Sequence, residues 1–78
     1  MQVQVKLFSR FREVLPRETR GQTKLDLPDG TTVAELLAHL GITDPVKLIT
    51  VNGQREVDLQ HPLANGDTLQ IFPPVVGG

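Results

Sequence analysis

The stretch TTVAELLAHLG, residues 31–41, is the clearest secondary-structure signal in the chain. Thr32 and Glu35 stand in the relation of a capping box, in which each side chain can satisfy a backbone N–H group that the first helical turn leaves open. The apolar residues that follow recur at helical spacing, at Val33, Leu36, Leu37 and Leu40. Gly41 comes next and can take the left-handed conformation that ends a helix. The stretch predicts one amphipathic helix of about two to three turns that lies across a sheet.

Strand patterns flank this helix on both sides. VQVKLF (3–8) and TKLDL (23–27) alternate between apolar and polar residues, and the polar loop RETRGQ between them predicts an antiparallel hairpin. Between the loop and the first strand, FREVL (11–15) predicts a short helical turn with Phe11 packed inward. After the helix, KLITV (47–51), QREVDL (54–59) and TLQIF (68–72) predict three more strands, the first two joined by a turn at Asn52 and Gly53.

Strands on either side of a single helix predict an α+β fold with one covered sheet face. If the helix is the crossover between the first and last strands, those two strands lie side by side, in parallel, at the centre of the sheet. The prediction is a ubiquitin-like β-grasp with a mixed sheet of four to five strands and one main helix on one face. We expect residues 1–72 to form this domain and residues 73–78 to form an extended C-terminal tail that ends in Gly-Gly.

Size, charge and composition exclude several classes of function. The 78 residues suffice for one core, and eight Lys and Arg against nine Asp and Glu give a formal charge of -1. A net charge of -1 gives no excess of positive charge with which to bind nucleic acid or an anionic membrane. The chain has no cysteine, so disulfides, thiolate nucleophiles and cysteine-based metal sites are excluded. We see neither a signal peptide nor a long apolar run, and we expect a cytoplasmic protein.

The residue pattern gives no support for catalysis by this chain alone. His39 and His61 are the two histidines, and we interpret both as ordinary surface or packing residues rather than metal ligands. The scattered aspartates suit turns, Ser9 has no nucleophile motif around it, and no glycine-rich phosphate loop is present. We therefore predict that this chain binds neither metal nor cofactor.

The tail FPPVVGG (72–78) is the candidate functional segment. Pro73 and Pro74 impose a stiff, extended exit from the last strand. Six residues beyond Phe72 could carry a terminal carboxylate up to about 20 Å from the domain. Gly77 and Gly78 would fit a channel too narrow for side chains. The alternatives are a frayed end or an expression remnant, although PPVV continues directly from the strand as a stiff apolar lead.

Two aromatic residues predict a docking surface. By strand parity, Phe72 points away from Leu69 and Ile71, and Phe8 points away from Leu7. If the first and last strands are neighbours, both rings lie on the face that the helix leaves open. We predict that Phe72 and Phe8 anchor a partner interface and that Leu59 joins them, while a plain packing role for Phe8 stays open.

The stretches VKLFSRFREVL, LPDGTTVAELLAHL, VNG and PLANGDTLQIFPPVVGG resemble the MoaD/ThiS family of ubiquitin-like sulfur carriers over nearly the whole chain. The ending, with a double proline before the terminal glycines, is most similar to the small subunits of molybdopterin synthase. Carriers of the thiamine pathway share the Gly-Gly but usually lack the two prolines.

The resemblance implies a mechanism and a set of partners. A partner adenylating enzyme of the MoeB/ThiF type, which resembles ubiquitin-activating enzymes, would use ATP and Mg to activate the carboxylate of Gly78. A persulfide donor protein would then convert the adenylate into a thiocarboxylate. The MoaE-type large subunit of molybdopterin synthase would receive the sulfur on cyclic pyranopterin monophosphate. Gly77 would give clearance, and the residues Val76, Val75, Pro74 and Pro73 would guide the tail.

Three other functions stay open. The sulfur could serve thiamine, tRNA or an amino acid instead, and the double proline argues against only the first of these. Gly78 could become attached to lysines of other proteins, as in a ubiquitin-like modifier. A purely structural β-grasp domain would need neither terminal glycine.

Overall fold

The computed structural model describes residues 1–56 and 58–74, which form a five-stranded sheet and one α-helix. The strands are β1 (Gln2–Leu7), β2 (Gln22–Asp26), β3 (Leu48–Val51), β4 (Gln54–Arg55) and β5 (Thr68–Phe72). Helix α1 spans Val33–Leu40, and two 3₁₀ helices, Ser9–Val14 and Arg17–Thr19, lie between β1 and β2. The predicted α+β class, with one main helix and a mixed sheet, is confirmed.

The sheet has the strand order β2-β1-β5-β3-β4. β1 pairs antiparallel with β2 and parallel with β5, with Val5 opposite Leu69 and Leu7 opposite Ile71. β3 lies antiparallel between β5 and β4. The first and last strands are therefore parallel neighbours near the centre of the sheet, as the sequence predicts.

Helix α1 begins and ends at the residues that its sequence indicates. The Thr32 hydroxyl accepts from the Glu35 N–H at 3.2 Å, and the Glu35 carboxylate accepts from the Thr32 N–H at 3.2 Å. At the other end, Gly41 has φ 76° and donates to the last helical carbonyls. The capping box and the glycine fix the bounds of the helix from local chemistry alone.

One hydrophobic core lies between α1 and one face of the sheet, which we call the covered face. The helix contributes Val33, Leu36 and Leu37 to this core. The sheet contributes alternate residues of its central strands, and the loops add four more apolar side chains. The buried members from strands and loops are Val3, Val5, Leu7, Phe11, Leu27, Ile42, Ile49, Leu63, Leu69 and Ile71. The opposite face, which α1 does not cover, is the open face.

Three predicted segments differ in detail from the structure. The strand predicted over QREVDL is wrong at Glu56, Asp58 and Leu59, because β4 is an edge strand and the chain turns away from it. The Asp58 carboxylate accepts from the Gln60 N–H at 2.9 Å, and the Asp58 carbonyl accepts from the His61 N–H at 3.0 Å. The loop RETRGQ contains a 3₁₀ helix. The turn predicted at FREVL overlaps the other one, which begins at Ser9 and ends at Val14, and Phe11 is buried as predicted.

The described residues contain neither a membrane-spanning helix nor a metal-binding cluster. No helix within residues 1–56 and 58–74 has the length and apolarity needed to cross a membrane. The same residues contain no group of three or more His, Asp or Glu side chains placed to hold a metal ion.

Candidate functional site

The tail leaves the domain at the edge of the sheet where β1 and β5 both end. Because the two strands are parallel, their last residues come together at this edge, with Leu7 opposite Ile71. The Phe8 N–H continues the pairing and donates to the Ile71 carbonyl at 3.2 Å. The sheet thus places Phe8 beside Phe72, the last residue before the prolines.

The rings of Phe8 and Phe72 form a stacked pair on the open face. Their centroids are 4.2 Å apart, and the ring planes differ by 11°. Leu69 and Ile71 are fully buried on the covered face, so Phe72 points the other way, as its parity predicts. Both rings are half-buried. The structure therefore brings together the two aromatic residues that the sequence singled out, and we call them the aromatic pair.

Leu48 extends the aromatic pair toward β3, and sequence reasoning missed it. It lies directly opposite Phe72 in the antiparallel register of β3 and β5, so the two side chains share a face. Leu48 is half-buried, while the next residue, Ile49, is buried in the core. The alternation of side chains along KLITV could have placed Leu48 on the open face, but an apolar strand is easily interpreted as buried on both faces.

Leu59 lies apart from the aromatic pair, on the far side of a groove that Leu48 also lines. Its side chain is 47% exposed, and both leucines line a shallow groove beside β3. The Leu59 carbonyl accepts from the Ala34 N–H at 2.8 Å, in the first turn of α1. Leu59 therefore sits near the start of the helix rather than beside the two rings.

The base of the tail is held against the domain. The Phe72 carbonyl accepts from the Lys47 N–H at 2.9 Å. Pro73 is buried and Pro74 is half-buried, so the first two residues of the predicted tail pack against the domain. The other tail residues named above, Val75, Val76, Gly77 and Gly78, lie outside the described residues.

The histidines do not form a catalytic group in the structure. His61 Nδ1 lies 3.0 Å from the Glu56 carboxylate, a contact that ties together the two ends of the loop after β4. His39 is an exposed residue of the last turn of α1. Both positions suit the surface and packing roles predicted for them.

The chain is similar to known proteins over nearly its whole length. The model of the ThiS family matches residues 5–78. The chain belongs to the ThiS family. This match confirms the resemblance to the MoaD/ThiS family of ubiquitin-like sulfur carriers. A curated relative, the molybdopterin synthase sulfur carrier subunit of Escherichia coli (strain K12), is 30% identical over 97% of this chain and 99% of its own length.

Solved structures agree with this assignment of fold. SAMP1 from Haloferax volcanii, the small archaeal modifier protein 1, covers 100% of both chains at 26% identity with a TM-score of 0.75. Another similar structure is a complex of subunits 1 and 2 of the molybdopterin-converting factor from Helicobacter pylori. One chain of that complex aligns with the present chain over 100% of each, at 25% identity and with a TM-score of 0.66. The ubiquitin-like β-grasp predicted from the sequence is confirmed.

Proposed function

We propose that this chain is the sulfur carrier and small subunit of a molybdopterin synthase, with the carboxylate of Gly78 as its reacting group. The main support is that the ThiS family match runs to Gly78. The curated relative that aligns over nearly its full length is a molybdopterin synthase sulfur carrier subunit. The double proline at Pro73 and Pro74 adds to this support, because it is the part of the ending that thiamine carriers usually lack.

The chemistry explains why a partner must activate the tail. An α-carboxylate has a pKa of about 3.3–3.7, so it is ionised at neutral pH and is a poor electrophile. Attack of a carboxylate oxygen of Gly78 on the α-phosphorus of ATP would expel pyrophosphate and form an acyl-adenylate. The terminal sulfur of a protein persulfide would then attack the acyl carbon and expel AMP, which leaves an acyl disulfide.

A second thiol would release the carrier in its loaded form. It would attack the donor-side sulfur of the acyl disulfide and become oxidised to a disulfide with the donor cysteine, while the thiocarboxylate stays on Gly78. Transfer of this sulfur to an acceptor carbon, followed by hydrolysis of the acyl group, would restore the carboxylate. Because the sulfur travels on the terminal carboxyl group, the carrier needs no cysteine, and it has none.

The proposal implies three partners. An adenylating enzyme would supply the site for ATP and Mg, a persulfide protein would supply the sulfur, and a large catalytic subunit would hold the pterin precursor. Support for the third comes from the Helicobacter pylori complex, in which a similar chain is combined with a second subunit. The aromatic pair and Leu48 offer the apolar contact that such a subunit would need.

The packed prolines set the reach of the tail. Since Pro73 is buried, the free length is counted from Pro74, and residues 75–78 span at most about 13–14 Å. A partner must therefore cover the sheet edge itself to bring its active site within range of Gly78. This requirement explains why an apolar surface stands at the base of the tail.

A second candidate function is protein modification. The likeness to the small archaeal modifier protein 1 covers the whole of both chains, and the same acyl-adenylate can be attacked by a lysine amine instead of a persulfide. A third candidate keeps the thiocarboxylate on Gly78 but delivers its sulfur to another pathway. It is supported by the family model that matches the chain, which is that of ThiS.

Sulfur transfer to the pterin precursor tests the pathway. The chain would be loaded as its thiocarboxylate, mixed with the molybdopterin synthase large subunit of the same organism, and supplied with the precursor. We expect a stable complex and conversion to molybdopterin, and a variant without Gly77 and Gly78 should bind the large subunit without converting the precursor. A loaded carrier that neither binds the large subunit nor loses its sulfur would reject the molybdopterin role.

A further inference from the structure

The segment between β1 and β2 carries an excess of positive charge. Residues 9–21 contain four arginines and two glutamates in a protein whose formal charge is -1. This segment follows β1 and lies at the tail end of the sheet. Asp44 lies near this segment, since it lines a pocket with Arg10 and Glu13. Five of the nine acidic residues belong to segments that meet where β1 begins, and they are Asp26, Asp29, Glu35, Asp58 and Asp67.

Three of the four arginines line one shallow pocket, which we call the arginine pocket. Its charged lining is Arg12, Arg17, Arg20 and Glu13. Ser9, Leu15, Pro16 and Gly21 complete the wall. With three guanidinium groups and one carboxylate, the pocket keeps a positive charge.

Gly21 positions Arg12 in this pocket. A Cβ atom at residue 21 would lie 2.8 Å from Arg12 Cγ and 2.7 Å from the Leu7 carbonyl oxygen, so only glycine lets the arginine stem lie against the backbone. The Leu7 N–H donates to the Gly21 carbonyl at 2.7 Å and anchors the segment to the end of β1.

The arginines have no carboxylate partner among the described residues. The two ion pairs within residues 1–56 and 58–74 join the Met1 amino group to Asp29 and His61 to Glu56. All four arginines of the segment are exposed. An unpaired cluster of guanidinium groups can bind carboxylates of another molecule in bidentate fashion.

The arginine pocket adjoins the aromatic pair. Ser9, which lines the pocket, directly follows Phe8 in the chain, and Phe8 stacks on Phe72 at the base of the tail. A partner that covers the two rings to reach the tail would therefore place its edge over the arginines. Interfaces combine an apolar centre with a charged rim in this way, and arginine is enriched in them.

We propose that the arginine pocket is a docking site for acidic side chains on the adenylating partner. This inference rests on the proposed function, and it names that partner because adenylation of Gly78 precedes both sulfur transfer and protein modification. The excess of arginines over glutamates in residues 9–21 would favour the approach of this segment to an acidic surface. Charges on a rim act mainly on the rate of association and on its salt dependence.

Docking can be measured by the exchange of labelled pyrophosphate into ATP, which the adenylating partner catalyses when it reversibly adenylates Gly78. The measured quantity is the KM of this exchange for the carrier. The test variant is R17E/R20E, which leaves Arg12 in its packed position on Gly21. The matched control is K24E/A38E/Q60E, which changes the net charge equally at three exposed residues that line neither the arginine pocket nor the groove beside β3. Thermal unfolding of both variants shows whether each is folded.

We expect R17E/R20E to raise the KM about tenfold or more at low ionic strength and to leave kcat unchanged. For the unaltered chain we expect KM to rise with salt; this rise should disappear in R17E/R20E and remain in K24E/A38E/Q60E. Equal KM values and equal salt dependence for the two variants would overturn the inference while the proposed function stands. Absence of exchange with the unaltered chain would reject the proposed function itself, and the inference with it.

Discussion

Phe8 and Phe72 stack with their ring centroids 4.2 Å apart, although one residue follows the first strand and the other ends the last. The parallel pairing of β1 and β5 creates this contact, because parallel neighbours end at the same edge of a sheet. The stack ties the base of the tail to the start of the arginine-bearing segment. The first two predictions below test the stack itself and the packing of Arg12 on Gly21 within that segment.

The first prediction concerns the energy of the aromatic pair. Stacked rings contribute about 0.5–1.5 kcal/mol beyond the burial of their area. In a double-mutant cycle with F8L and F72L, we therefore expect a coupling energy of this size in the free energy of unfolding, measured by urea denaturation. The matched cycle of F8L with L59A should show no coupling, since Leu59 lies beside α1. Additive effects of F8L and F72L would contradict the stack.

The second prediction concerns the glycine under Arg12. Gly21 and Gly30 both have positive φ, at 78° and 85°, but only Gly21 lacks room for a Cβ atom. G30A should carry the cost of the left-handed backbone alone, about 1 kcal/mol. G21A should cost at least about 1 kcal/mol more because it also displaces the Arg12 stem or the β1 backbone. Equal melting temperatures for the two variants would show that the close contact has no energetic weight.

The third prediction concerns the capping box of α1. T32A should lower the free energy of unfolding by about 0.5–2 kcal/mol, because it leaves the Glu35 N–H without its acceptor. T32S keeps the hydroxyl and should retain most of the stability. T43A, which alters an exposed threonine beyond the helix, serves as the control and should stay within about 0.5 kcal/mol of the unaltered chain.

The fourth prediction concerns the buried carboxylate of Asp67. It accepts from Asn52 Nδ2 and from the Ala64 N–H, each at 2.8 Å, and so joins the β3–β4 turn to the loop before β5. D67A leaves both donors without this acceptor and should cost about 1–3 kcal/mol. D26A, at an exposed strand residue, should change stability little. A D67A variant as stable as D26A would show that water replaces the carboxylate fully.

Local chemistry explains how much of the fold could be predicted from the sequence. The bounds of α1 follow from Thr32, Glu35 and Gly41, which act within one turn of their own positions. The central strands follow from alternation, and their parallel pairing follows from a single helical crossover. The end of β4 could not be predicted, because Asp58 bonds to the turn backbone and ends an edge strand that few neighbours support.

The site was predictable where parity alone decides it. Phe8 and Phe72 could be placed on one face because each directly follows a core residue, Leu7 at the end of β1 and Ile71 in β5. To place Leu48 beside Phe72, one must know the register of β3 against β5. To find the arginine pocket, one must know how residues 9–20 fold back against Gly21. Neither arrangement follows from sequence spacing, because both depend on contacts between separate segments of the chain.

The mass of the C-terminal tryptic peptide tests the central claim most directly. The last Lys or Arg is Arg55, so trypsin releases a peptide that begins at Glu56 and is separated from Met1, whose oxidation would add a similar mass. After incubation with the adenylating partner, ATP and a persulfide donor, we predict that this peptide gains the mass difference between sulfur and oxygen and reacts with a thiol-directed alkylating reagent. An unchanged peptide, in the presence of a partner shown to be active, would contradict the account of Gly78 as a sulfur carrier.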